Sequence, residues 1–493
     1  MPSDLDFAGP LRDALRAADF TYDRVADAIG DEAHRALGRN ETLPALRRTT
    51  SGGPLDTLVR LFLLQTPVPR DAADRALPGL VDRLCNAGLL EQSVSEVGAR
   101  TDCRPYAVDE QDLWIVSDLT PGLDGAPVAV GPDHVLGISS ASTSLAQLTM
   151  REQAGRSLDL GTGCGVQALH LAAHSGSVVA TDVNARALWM TRLNATLNGV
   201  DVDVRDGSFF EPVAGERFDL IATNPPFVIS PATGERLVYR DSGLPGDRVV
   251  EHIVRTGPDH LAAGGWLQVL ANWAVTDRPW DERIGSWLRE DCDALVVQRE
   301  TLDPAAYVEL WLKDSGHHGG PDYAHRYDTW LSWLEESGIE GVGFGWINVR
   351  LRDGSGAGSG THELLEWPYD VEQPIGPAIG AWGDAARDLH DLSDDALLAT
   401  TLRARDDVQQ ETVGRPGAED PEAIVLRQQR GFRRARTADT VEAALVGASD
   451  GDLTVGRLLG ALGALLERDE ADLRATYLPV VRDLVAEGFL QLS

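Results

Sequence analysis

Apolar residues in the first hundred positions recur at helical spacing, most clearly in LDTLVRLFLLQ (55–65) and LPGLVDRLCNAGLLEQ (77–92). The second stretch is interrupted at Gly88, a helix-stop signal, before Leu89 and Leu90. The same sign, Gly488 before Phe489 and Leu490, ends the helical pattern of LPVVRDLVAEGFLQL (478–492). Residues 1–105 are therefore expected to form a helical N-terminal domain. Two apolar runs follow, DLWIVSDL (112–119) and APVAV (126–130), separated by a turn at Thr120, Pro121 and Gly122. They predict a β-hairpin linker over 106–138.

From Ser157 the pattern changes to strands alternating with helices, the signature of a parallel α/β sheet. SLDL, SVVATD, VDVDVR and FDLIAT read as strands, with VQALHLAAH and ARALWMTRLNATLN as helices between the first three. GGWLQVLA, DALVVQ and GVGFGWINVRL complete the sheet, and the Gly/Ser-rich RDGSGAGSGTHE reads as a loose hairpin loop. This α/β domain is expected over 139–370, followed by a helix-rich, acidic C-terminal domain over 371–493. The two glycine-stopped helices resemble the last helix and first wing strand of winged-helix units, so both flanks carry that expectation.

Composition narrows the class. At 493 residues the chain is too long for one core, and its 43% hydrophobic share is that of a globular protein. No run approaches the apolar length of a membrane span, and the acidic start MPSDLDFAGP lacks a signal peptide's basic and apolar regions. A cytoplasmic protein with no membrane partner is the expectation. Cys85, Cys103, Cys164 and Cys292 have no CxxC spacing, which argues for reduced thiols and against zinc or disulfides. A formal charge of −33 disfavours nonspecific polyanion binding, although a local patch can overrule the sum. One such patch is LRQQRGFRRAR, where Arg427, Arg430, Arg433, Arg434 and Arg436 surround Phe432. It reads either as a phosphate-facing cluster or as a helix face that is solvated or paired with carboxylates.

Two stretches carry candidate chemistry. In LDLGTGCGVQALHLA, Gly161, Gly163 and Gly165 lie between a strand and a helix, where bare backbone can approach a ligand and the helix start offers free N–H groups. Asp182 ends the next strand, about 20 residues after the first glycine, where an acidic side chain can hold ribose hydroxyls. A dinucleotide fingerprint would place its third glycine at Val166 or Ala168, so spacing by itself leaves the ligand open. In FDLIATNPPFVISP, the strand stops at Asn224, Pro225, Pro226 and Phe227. An amide with donor and acceptor, a stiff backbone and a flat apolar ring make a socket for a small planar polar group.

DLGTGCG, ATDVN and NPPF, in this order, resemble the class I methyltransferases that use S-adenosylmethionine (AdoMet) on planar nitrogen. The resemblance covers roughly Ser139 to Arg352 and is shared by release-factor glutamine, N6-adenine and N2-guanine methyltransferases. It implies a Rossmann-like sheet in which Asp159, Gly161, Thr162, Gly163 and Gly165 wrap the methionine part of AdoMet and Asp182 holds its ribose. Asp206, Ser208 and Phe209 would flank adenine, with Ser208 where these enzymes often carry aspartate and Asp206 as its substitute. Asn224 and the Pro225 carbonyl would accept N–H bonds from the target nitrogen while Phe227 stacks on its plane. Metal is not required.

A helical domain, a hairpin and then the catalytic domain resembles the release-factor enzymes, which favours a protein glutamine, within a translation component, as the target. The alternatives are an exocyclic amine of adenine or guanine in RNA or DNA, a natural-product amine, and a non-catalytic AdoMet-binding interaction protein. The loop SPATGERLVYRDSGLPGD offers Arg236, Tyr239 and Arg240 as substrate contacts or plain surface. HHGGPDYAH, with His317, His318 and His325, lacks metal-ligand spacing and reads as a loop. Trp266, Trp273, Trp280 and Trp287 recur every seven residues, but Gly264, Gly265 and Pro279 exclude one helix.

Overall fold

The computed structural model describes residues 5–108, 111–126, 130–131, 133–231, 244–317, 319–354, 359–415 and 422–493. Its centre is an eight-stranded sheet of β1 (Ala154–Leu160), β2 (Ser175–Asp182), β3 (Asp203–Asp206), β4 (Phe218–Thr223), β5 (Leu261–Val275), β6 (Cys292–Leu302), β7 (Gly341–Leu351) and β8 (His362–Glu366). The order across the sheet is β3-β2-β1-β4-β5-β7-β6-β8. β1 to β5 are mutually parallel, β7 runs antiparallel to both β5 and β6, and β8 is parallel to β6.

Strands buried on both faces must read as near-continuous apolar runs, and they do. One face packs α4 (Arg248–Thr256) through Val249, Val250 and Ile253. The other packs α1 (Ser140–Leu148), α2 (Val166–Ala172) and α7 (Gly376–His390) through Leu145, Leu171 and Ile379. The chain reverses its strand order between β1 and β4, so the carboxyl ends of these strands splay to leave a crevice.

The helical N-terminal expectation also meets a small sheet. Val81–Ala87 ends at Gly88 with φ +81°, and Leu90–Gln92 then pairs antiparallel with Glu96–Ala99, which pairs with Val68–Pro69. Gly488, φ +79°, likewise precedes Leu490–Leu492, an edge of a three-stranded sheet with Thr401–Ala404 and Asp450–Thr454. The C-terminal segment holds a second three-stranded sheet as well.

Two expected hairpins meet other pairings. Gln111–Asp118 pairs with the preceding Thr101–Val108, and positions 127–129 of the expected partner APVAV lie outside the described residues. Around the Gly/Ser-rich stretch, β7 and β8 both pair with β6 and not with each other, because β6 offers an unpaired edge on each side; positions 355–358 lie outside the described residues. The 101–118 hairpin docks on α3 (Ala185–Asn198), where Asn194 accepts from the Val116 N–H at 2.8 Å and donates to its carbonyl at 2.8 Å. Asn198, one turn on, does the same with Trp114 at 2.9 and 2.8 Å. These two amides replace the ladder partner that the hairpin's edge lacks.

The arginine-rich stretch is a β-turn region between Ala423–Gln428 and Ala435–Ala438, not a helix. Arg427 pairs with Glu411, Arg434 with Glu363 of β8, and Arg436 with both Glu442 and Glu487. Arg430 and Arg433 alone of the five are exposed without a carboxylate partner among the described residues. Phe432 is buried beside α7 in the core that packs on the eight-stranded sheet. In HHGGPDYAH, His325 lies on helix α6 (Tyr323–Glu336), a correction to the loop reading, and His318 lies outside the described residues. Trp273 and Trp280 stack at 5.8 Å between a strand and a short helix, and Trp287 joins the same core.

Candidate active site

A cleft of about 530 Å³ opens at the carboxyl ends of β1, β2 and β4. Its floor is the turn from β1 into α2. Gly161 and Gly163 adopt φ of +77° and +57°, and a Cβ at either would stand in open space, so bare backbone faces the cavity. Gly165 serves a different purpose, because its Cβ would meet Thr191 of α3 at 3.0 Å. The third glycine lets helix pack on helix.

Asp159 is 2% exposed beneath this turn. Its carboxylate accepts from the Thr162 hydroxyl at 2.6 Å and the Ala168 N–H at 2.9 Å, and burial pushes its pKa up to about 7. Its observed bonds are to the turn and to the first turn of α2. Asp182 ends β2, accepting from the Gly163 N–H at 2.9 Å and the Asn184 N–H at 2.8 Å. Burial raises its pKa, and the Asp206 charge adds to that rise. The remaining lone pairs of Asp182 are available in the cleft wall.

Ser208 and Phe209 line the cleft, whereas Asp206 is exposed at the end of β3 and does not. Asp206 sits opposite Asp182 in the ladder, directly before the chain bends at Gly207. The bend is strained. Gly207 has φ +148° and a Cβ there would meet Pro212 at 2.5 Å, while Phe209 holds φ +45° with its ring edge-to-face on His252 at 4.8 Å.

Asn224, Pro225, Pro226 and Phe227 follow β4 directly and line the same cleft. Thr223, fully buried, donates to the Leu160 carbonyl at 2.7 Å and so ties the tetrad's start to the end of β1. The Oδ1 of Asn224 is buried with no donor among the described residues. An uncompensated buried acceptor costs about 1–3 kcal/mol, and it persists where a ligand supplies the donor. Phe227 stands edge-on to Trp311 at 6.2 Å.

Sequence reading missed several lining residues. Val183, 68% exposed, follows Asp182 as an apolar patch in the wall. Gln167 is 4% exposed and donates to the Ser142 carbonyl at 2.7 Å while its Oε1 has no donor among the described residues. A lone amide in the otherwise apolar VQALHLA was the available signal. Val249 and Ile253 of α4 come from the far side of the long loop and had none. Arg236, Tyr239 and Arg240 lie outside the described residues. Among the described residues, no cluster of His, Cys, Asp and Glu is arranged to hold a metal.

Residues 137–280 match the family model described as the methyltransferase small domain. Models described as domains of unknown function match 17–100 and 381–492. The release factor glutamine methyltransferase of Xylella fastidiosa is 37% identical over 131 residues, 24% of this chain and 47% of the relative. The ribosomal protein uL3 glutamine methyltransferase of Bradyrhizobium diazoefficiens is 36% identical over 207 residues, 39% of this chain and 61% of the relative. The ribosomal RNA small subunit methyltransferase C of Salmonella arizonae is 36% identical over 120 residues, 24% of this chain and 31% of the relative. The chain thus spans about a third to three fifths of the length of these relatives. The segment that carries the cleft is a class I methyltransferase domain of Rossmann-like α/β fold.

Proposed function

We propose that this chain is an AdoMet-dependent N-methyltransferase acting on a planar nitrogen of a macromolecule, with a protein glutamine amide as the favoured target. The observation that carries the reading is the buried, donor-less Oδ1 of Asn224, placed in one cleft with the bare backbone of Gly161 and Gly163. The residues present fit the cofactor. The open glycine turn suits the methionine part, the spare lone pairs of Asp182 suit ribose hydroxyls, and Val183, Ser208 and Phe209 suit a flat base. AdoMet, when bound, supplies an electrophilic methyl group on a sulfonium.

The rest is the chain's work. An amide nitrogen is a weak nucleophile because its lone pair is delocalised. Asn224 Oδ1 and the Pro225 carbonyl each accept one N–H, which orients the nitrogen and favours the positive charge it gains as it bonds carbon. Phe227 covers the planar group. Neither oxygen has to take the proton, since an alkylated amide nitrogen is acidic enough to release it to water. The buried carboxyl of Asp159 is engaged by Thr162 and Ala168, so it holds the turn and leaves the proton alone.

Glutamine is favoured because two of the three relatives act on protein glutamine and because a charge of −33 disfavours polyanions. The ribosomal RNA relative supports a nucleobase amine as the second reading. We read the domains as 1–105, 106–138, 139–370 and 371–493, with both flanks as winged-helix units that select a translation component. A helix, a left-handed glycine and a short antiparallel strand at each end support that reading. Among the described residues no helix is long and apolar enough to cross a membrane, which suits a cytoplasmic substrate. The test is transfer of labelled methyl from AdoMet into cell extract, digested afterwards with nuclease or protease. Label that survives nuclease and is lost with protease is expected; label lost with nuclease moves the assignment to a nucleobase.

A further inference from the structure

Between β6 and β7 the chain inserts a helical pair, α5 (Pro304–Asp314) and α6, which the simplest strand connection would not need. Its apolar face does not only cover the sheet. Tyr307, Val308, Trp311, Leu312, Trp330 and Leu334 form one buried cluster with Val228 and Ile229, the two residues that follow the tetrad.

The contacts on Ile229 are specific. The Ile229 N–H donates to the Tyr307 hydroxyl at 2.8 Å, and its carbonyl accepts from the Trp330 Nε1–H at 2.9 Å. Both backbone groups of one residue are thus held by side chains 78 and 101 positions away, one from each helix. Tyr307 and Trp330 are fully buried, so water cannot substitute for either bond. Trp311 adds its ring against Phe227. At the other end, Thr223 anchors the tetrad to β1. The four residues are therefore strung between two fixed points, Thr223 at the end of β4 and Ile229 under the helical pair.

We infer that the α5–α6 insertion is the positioning element of the acceptor site. Tyr307 and Trp330 are positioning residues that hold Ile229, and through it the Pro225 carbonyl and the Phe227 ring, at the geometry the acceptor nitrogen requires. The inference rests on the N-methyltransferase reading. A peptide that carries two proline residues has few internal degrees of freedom, so a shift at Ile229 is passed back to Pro225 instead of being absorbed. Misplacement of reacting groups by about 1 Å can cost on the order of 100-fold in rate, so loss of one of two holding bonds is expected to cost about tenfold.

The experiment compares the parent chain with Tyr307→Phe and Trp330→Phe, which remove the hydroxyl and the ring N–H and keep aromatic bulk. AdoMet affinity is measured by calorimetry, backbone exchange of 224–231 by hydrogen exchange, and labelled-methyl transfer into cell extract per AdoMet-binding site. Each variant is expected to bind AdoMet within about twofold of the parent, to exchange faster around Ile229, and to transfer methyl about tenfold more slowly. A purely structural role would lower thermal stability and AdoMet-binding sites together, with the rate per site unchanged, and would overturn the inference. So would parent rates in both variants. A parent that binds AdoMet but transfers no methyl removes the acceptor-site reading and this inference with it, whereas an active parent with unaffected variants removes only the inference.

Discussion

The two walls of the cleft, one that we assign to the cofactor and one to the acceptor, are built by opposite strategies. The cofactor wall is local: Asp159, Thr162, Gly163 and Asp182 bond one another within 19 positions of the chain, and each bond closes inside the wall. The acceptor wall is tied at its start to β1 by Thr223, while its far end hangs on Tyr307 and Trp330. It also keeps one polar atom, Asn224 Oδ1, without a donor among the described residues. A wall whose carboxylates are already bonded to its own turn can be stable by itself, even with Gln167 Oε1 left without a donor among the described residues. A wall that must grip a transient charge has to leave an acceptor unpaired and pay for it with rigid support elsewhere.

If that contrast is right, the largest effect comes from the unpaired atom. Asn224→Ala is expected to reduce methyl transfer by about 100- to 1,000-fold while leaving AdoMet affinity nearly unchanged. Calorimetry beside labelled transfer checks it, and a comparable loss of AdoMet binding would merge the two walls into one. The next effect is on the other wall. Asp182→Ala removes two charge-assisted backbone bonds and the proposed ribose contact, so AdoMet affinity should fall by about 1.5–3 kcal/mol, roughly 10- to 100-fold. The maximal rate at saturating AdoMet should change far less.

A smaller effect sharpens the role of Asp159. Its folded-state pKa of about 7 exceeds the ordinary 3.8, so the fold prefers the protonated carboxyl. The stability it contributes is full below about pH 4 and is lost as pH rises through about 7. Asp159→Asn retains an oxygen for Thr162 and Ala168 and removes the charge. Melting temperature followed from pH 4 to 8 should fall less in the variant than in the parent; equal falls would show that the carboxyl does not titrate in this range. The smallest effect is expected far from both walls. Replacing Arg430 and Arg433 together by alanine should leave transfer within about twofold at every salt concentration, because a protein target needs no phosphate contacts. A shallower salt dependence in the double variant would favour a nucleobase amine. Arg434 is left out of that test because it bridges Glu363 of β8, and its loss would disturb the catalytic domain itself.

The contrast also explains what could be read from the chain. The cofactor wall is a contiguous pattern, and β1 to β4 with α2 and α3 lie where alternation and glycines put them. Misreadings collect where partners are remote. DLWIVSDL carries a strand's composition, but composition does not name the neighbour, and it pairs with Thr101–Val108. Asp206 and Ser208 are two chemically plausible candidates for one role; Ser208 lines the cleft, while Asp206 is exposed at the end of β3. For the arginine cluster the sequence leaves a phosphate-facing patch and carboxylate pairing both open, and the structure supplies Glu411, Glu363, Glu442 and Glu487 to three of the five arginines.

What the amino-acid sequence determined without help is therefore the chemistry of short range: a strand-turn-helix with backbone exposed by glycine, an acidic residue one strand later, and an amide followed by two prolines and a ring. Backbone sterics and hydrogen-bond capacity are properties of neighbours in the chain, so they are visible there. Tertiary structure decided which of these groups share a cleft, which carboxylate faces inward, and which side chains hold the acceptor wall still. Those outcomes depend on contacts between residues some 80 to 120 positions apart, such as Ile229 with Tyr307, or Gln268 with Met150 and Leu148. Packing selects such pairs by the shape and burial of the whole core, and no local pattern records that choice.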